Sequence, residues 1–145
     1  MVPIVVLAAV TGLTRLIGWL AGPDWLDSWP HTTALGLAAM FALTAGAHFV
    51  QPKRGELIAM VPPAFPNAAA MVTLTGALEA AGALGLLIPP FPRVAAICLF
   101  LLLLIMFPAN VRAAKEHIGV QTMPLALRSV VQVVFLGACA VVAVG

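Results

Sequence analysis

The chain has 145 residues, 63% of them hydrophobic and 8% charged, and its net charge of +2 comes from 7 basic and 5 acidic side chains. Soluble domains carry about 25% charged residues, so a soluble domain with a large core is excluded. No basic run interleaved with aromatics is present, which sets nucleic-acid binding aside.

Five apolar segments follow one another: Pro3–Ala21, Thr33–Val50, Ala68–Ile88, Val94–Val111 and Leu125–Val144. At about 1.5 Å per residue each is able to cross a hydrocarbon core of about 30 Å, the second and fourth being near the lower limit. The first segment lacks a basic n-region and a small-residue cleavage site, so it is read as a retained helix and not a signal peptide. Proline clusters separate the segments: Pro23 and Pro30, then Pro52, Pro62, Pro63 and Pro66, then Pro89, Pro90 and Pro92, then Pro124. Proline is disfavoured in helix interiors and restricts the residue before it, so these clusters mark loops. Pro108 is expected to kink or end the fourth segment. Helices are the open-chain solution in lipid, because backbone polar groups must be satisfied internally. The expected fold is therefore all-α: one transmembrane domain over residues 1–145, with five spans.

The loops give an orientation. With five spans, Lys53, Arg54, Arg112 and Lys115 fall on one side and Arg93, Asp24 and Asp27 on the other. The excess of basic residues places the N-terminus in the cytoplasm and the C-terminus outside. Trp19, Trp25 and Trp29 gather at the outer end of the first hairpin, as an interfacial belt does. The loop at 51–67 mixes Leu57, Ile58, Met60, Val61 and Phe65 with Glu56 and prolines. It reads either as a segment resting on the headgroups or as a lid over a cavity.

Glu79 is the one charge between Ala68 and Ile88. A carboxylate at membrane depth costs roughly 2.5–3.5 kcal/mol on insertion scales, so it needs a partner, a proton or a use. Counting along the helices puts Glu79 roughly 16 Å and Arg15 roughly 18 Å above the same boundary, so an Arg15–Glu79 ion pair is one expectation. The other is that Arg15 snorkels outward and leaves Glu79 to handle protons. His48, Asn110, Arg128 and Gln132 lie in the inner half, one helix turn or more below Glu79. Each alone reads as a packing hydrogen bond; together they suggest a polar vestibule. Thr73, Ala77, Ala81 and Gly85 form a small-residue stripe that makes the third segment the expected centre of the bundle. The fourth, with bulky residues from Leu99 to Met106, is the expected lipid-facing one.

Cys98 and Cys139 are too few and too far apart for a disulfide framework or a CxxC pair, though they fall at matching depth and a thiol pair is conceivable. No Gly-rich phosphate loop, HExxH or Ser/His/Asp arrangement occurs, and no metal site is expected.

From Ala34 to Val134 the chain resembles the DoxX-like family of small bacterial membrane proteins. The likeness is carried by Gly46-Ala47-His48-Phe49, the Pro62-Pro63 turn, Thr75-Gly76-Ala77-Leu78-Glu79, Gly82 to Pro89 and Phe107-Pro108-Ala109-Asn110. Arg128 and Gln132 are similar to the two ends of a further family motif, with Val130 where that motif has proline. The resemblance implies a four-helix core at 32–145 in a bacterial inner membrane, to which residues 1–31 add an N-terminal helix and outer loop. It further implies association with a membrane redox system, so the vestibule of Glu79, His48, Asn110, Arg128 and Gln132 reads as the quinone- or lipid-binding site of an accessory subunit that works with a membrane redox partner or a second copy. With no metal site or flavin motif, the chain is not expected to be an enzyme on its own. A small proton-coupled transporter using Glu79 is the alternative. No covalently bound cofactor is expected.

Overall fold

The computed structural model describes residues 1–118 and 123–145, and its described residues fold into helices without strands. These helices are α1 (Val2–Leu20), α2 (Trp29–Ala47), α3 (Lys53–Met60), α4 (Ala68–Leu87), α5 (Pro92–Glu116) and α6 (Leu125–Val144), with a short 3-10 turn at Asp24–Leu26. The part of the expected inner connection that falls at 119–122 lies outside the described residues.

Helix boundaries follow local chemistry. Asn67 caps α4 by accepting a hydrogen bond from the Ala70 amide, which satisfies one of the free donors of the first turn. Proline in the first turn of α1, α2 and α5 removes only amides that have no helical partner there. α5 is the longest helix at 25 residues, and Pro108 does not end it. Within a bundle, neighbouring groups re-satisfy the backbone that a proline frees. The helix closes at His117, whose left-handed φ of 52° turns the chain out.

Four helices are long and apolar enough to cross a membrane: α1, α4, α5 and α6. α2 has 19 residues and packs against α1, α4 and α6. α4 also packs on α5, and α5 on α6, so α2, α4, α5 and α6 close a ring with α1 laid against the outside of α2. The core holds Leu37 and Phe41 of α2, Leu86 of α4, Leu99 of α5, and Cys139 and Val142 of α6.

Two expectations about burial are corrected. The most exposed helix is α1, whose single buried residue is Leu7, while α5 buries six residues. The centre is α2, not α4: nine of its residues are buried. In α4 the stripe Thr73–Ala77–Ala81 is exposed, and the buried face is Val72, Gly76, Glu79, Gly82, Ala83 and Leu86. A strict four-residue spacing drifts by about 40° at each step around a helix of 3.6 residues per turn, whereas alternating threes and fours hold one face. Gly82 lets the Leu99 side chain of α5 lie against the α4 backbone.

The thiol pair is also corrected. Cys98 is exposed and Cys139 is buried, and both are free.

Candidate functional site

At the α3 end of the bundle, α2 and α4 meet where Gly76 faces His48. A Cβ at Gly76 would collide with Cβ and Cγ of His48, so the glycine sets how closely the two helices approach. That approach brings three polar side chains together. The Thr44 hydroxyl is 2.7 Å from Oε2 of Glu79, and Nδ1 of His48 is 2.9 Å from the Thr44 carbonyl and 3.8 Å from the same Glu79 oxygen. Glu79 is 4% exposed and His48 3%, so this cluster is inside the protein.

Arg15 does not join it. Its guanidinium pairs with Asp27 and lies 5.2 Å from the centre of the Trp29 ring, at the opposite end of the bundle. The expected Arg15–Glu79 ion pair is thus replaced by two separate solutions. α1 packs chiefly on α2, and the turn at Asp24–Leu26 returns a carboxylate to Arg15 within one connection. The outward-snorkelling alternative describes Arg15 better.

The rest of the expected vestibule forms a second cluster between α5 and α6. Arg128 donates to Oδ1 of Asn110 at 3.3 Å and to the Met123 carbonyl at 3.4 Å. Gln132 donates to the Leu103 carbonyl at 2.8 Å, a bond that ties the two helices together. The five residues therefore fall into two groups, Glu79 with His48, and Asn110 with Arg128 and Gln132.

A cavity of about 150 Å³ joins the groups. His48 borders it from the end of α2, Thr75 from α4 and Asn110 from α5; the other lining side chains, including Met60, Phe65, Met71 and Met106, are apolar. Glu79, Arg128 and Gln132 stand behind this lining, not in it. α3, with Leu57 and Met60, and the following residues Val61, Pro62 and Phe65 form one wall.

Two arginines hold that wall. Arg54 of α3 donates to the His48 carbonyl at 2.7 Å and to the Thr73 hydroxyl at 2.9 Å, tying α3 to α2 and α4. Arg112 of α5 donates to the Ala59 and Val61 carbonyls at 3.0 and 2.6 Å. Both guanidiniums sit at helix C-terminal carbonyls, where the dipole favours a cation. Thr44, Arg54, Thr75 and Arg112 were not among the expected site residues. The only sequence signal for Thr44 is its position one turn before His48.

No group of three or more metal-ligating side chains occurs among the described residues. The arrangement offers hydrogen bonds in an apolar cavity and a buried carboxylate behind one of its walls.

A family model described as a domain of unknown function (DUF8561) matches residues 37–143. The match begins inside α2 and ends in α6, so it covers the ring and the cavity and leaves α1 outside. No curated protein and no solved structure matches the chain.

Proposed function

The chain belongs to the DUF8561 family, and from its cavity we propose that it is a small-molecule-binding membrane subunit that holds the polar end of a lipophilic ligand beneath α3. The observation that carries this reading is a cavity of about 150 Å³ whose lining is apolar except at His48, Thr75 and Asn110. Ligand sites combine a hydrophobic lining with a few placed polar groups in this way. An apolar cavity of about 150 Å³ accepts a benzene-sized ring, so the fitting ligand is a ring or compact headgroup with an apolar tail. A quinone or a lipid answers that description, and the resemblance to DoxX-like proteins favours a redox-associated accessory role beside a membrane partner.

In this reading α2 is the fifth span and the four helices α2, α4, α5 and α6 are the binding core. The end carrying α3 faces the cytoplasm of a plasma membrane, because Lys53, Arg54, Arg112 and Lys115 gather there. The test is binding of a radiolabelled short-chain quinone to the full chain in lipid nanodiscs. Asn110→Leu, which removes the donor on the wall, should weaken it about tenfold; unaltered binding by this variant rejects the cavity as the site.

The Thr44–Glu79 contact favours a second reading, a proton-coupled carrier with Glu79 as the titrating group. Glu79→Gln then abolishes uptake driven by a pH gradient, and normal uptake by that variant sinks the carrier reading.

A further inference from the structure

The hydrogen-bonding state of each polar group on the cavity wall is fixed by its partner behind the wall. Nδ1 of His48 lies 2.9 Å from the Thr44 carbonyl. A carbonyl only accepts, so Nδ1 carries the hydrogen and Nε2 of the neutral ring is left as an acceptor. The Glu79 oxygen at 3.8 Å from Nδ1 is beyond hydrogen-bond reach and is already served by the Thr44 hydroxyl. Among the described residues Nε2 meets no hydrogen-bond partner, yet it is not among the buried polar atoms left without one. In a side chain that is 3% exposed and borders the cavity, that access is through the cavity.

Thr75 is also an acceptor. Its hydroxyl hydrogen is taken up by the Met71 and Val72 carbonyls at 3.0 and 3.2 Å, leaving only lone pairs. Asn110 is the opposite case. Arginine has donors only, so the bond from Arg128 fixes Oδ1 on the Arg128 side and leaves the amide NH₂ as the free donor. The wall therefore presents two acceptors, on α2 and α4, and one donor on α5.

Resting on the proposed binding role, we infer that the ligand is an amphiphile whose polar end brings a hydrogen-bond donor: a hydroxyl or N–H directed at His48, with an oxygen placed to accept from Asn110. A phenol carrying an ether oxygen has this pattern. A ligand with acceptors only leaves His48 and Thr75 unanswered in an apolar cavity, and an unmade buried hydrogen bond is costly.

The test compares radiolabelled para-hexyloxyphenol with its O-methyl ether on the unmodified full chain in nanodiscs, with empty nanodiscs subtracted. The two share ring, tail and ether oxygen and differ in the donor. The phenol should bind about tenfold more tightly than the methyl ether, and Asn110→Leu should weaken both. Equal binding of the pair, or preference for the ether, overturns the donor assignment while leaving the cavity as a binding site. If neither compound binds and the short-chain quinone does not bind either, the binding role falls and the donor assignment falls with it. Because the two compounds are compared on unmodified protein, the result does not depend on whether a variant folds.

Discussion

Thr44 and Glu79, 35 residues apart in sequence, share a 2.7 Å hydrogen bond inside the bundle. The Thr44 hydroxyl also lies 3.2 Å from its own helix carbonyl at Phe41. One hydroxyl hydrogen thus has two acceptors. With Glu79 ionised it goes to the carboxylate; with Glu79 protonated it goes to Phe41, and Thr44 accepts from the carboxyl instead. Either protonation state keeps its hydrogen bond, which is what a proton-handling group needs and what a purely structural carboxylate does not.

Thr44→Val removes this partner and leaves a buried carboxyl unsatisfied. It should lower stability by about 1–3 kcal/mol, read by chemical unfolding in detergent. In a Glu79→Leu background the same substitution should cost much less, because the group it strands is gone. Equal costs in both backgrounds show that the Thr44 hydroxyl does not support Glu79.

Much of the fold was legible because apolar length and proline punctuation act locally. The ends of α1, α4 and α6 lie within two residues of the apolar segments that announce them. What the sequence did not show is which helices are neighbours. Counting residues gives the height of Arg15 and of Glu79 along their helices, yet Arg15 pairs with Asp27 while Glu79 meets Thr44. Height is one coordinate of three. The likeness of His48 and Asn110 as cavity residues was visible only as shared depth, and the arginines that hold α3 were counted for charge, not for the carbonyls they reach.

Gly76 separates packing from propensity. A side chain there meets His48, so Gly76→Ala should push α2 from α4, cost about 1–3 kcal/mol of stability and weaken ligand binding together. Gly46 and Gly137 have open space where a Cβ would stand. Gly46→Ala and Gly137→Ala should therefore change stability by no more than about 1 kcal/mol. A Gly76→Ala protein as stable as these controls would falsify the close approach at His48.

The α3 wall should loosen when its ties are cut. Arg112→Ala removes two bonds to the end of α3, and Arg54→Ala removes those to His48, Ala69 and Thr73. Each should raise amide hydrogen exchange in residues 53–60 by about tenfold or more while leaving α6 unchanged. Arg112→Lys should restore little, since an ammonium cannot reproduce the planar fork that reaches two carbonyls. Exchange that rises equally in α6 would indicate general destabilisation and not a released wall.

Topology turns on α2, because five spans put the termini on opposite sides and four put them on the same side. By apolarity alone α2 falls short of the other long helices, and its first five residues are Trp29, Pro30, His31, Thr32 and Thr33. Its surroundings supply what its composition lacks. A helix covered by α1, α4 and α6 shows protein, not lipid, to most of its surface, so polar residues there carry a smaller penalty. Pro30 near its start lies beside Gly145 at the end of α6, and His48 at its finish lies against Gly76 in the first half of α4. α2 thus reaches the end of α6 at its start and stops beside Gly76, about 12 Å along α4 from Ala68, at its finish. An N-terminal fusion to a protein that fluoresces only in the cytoplasm should be bright. A C-terminal alkaline phosphatase fusion, active only outside, should be active. Both termini reporting the same side would place α2 outside the set of spanning helices and reverse the assignment of one end.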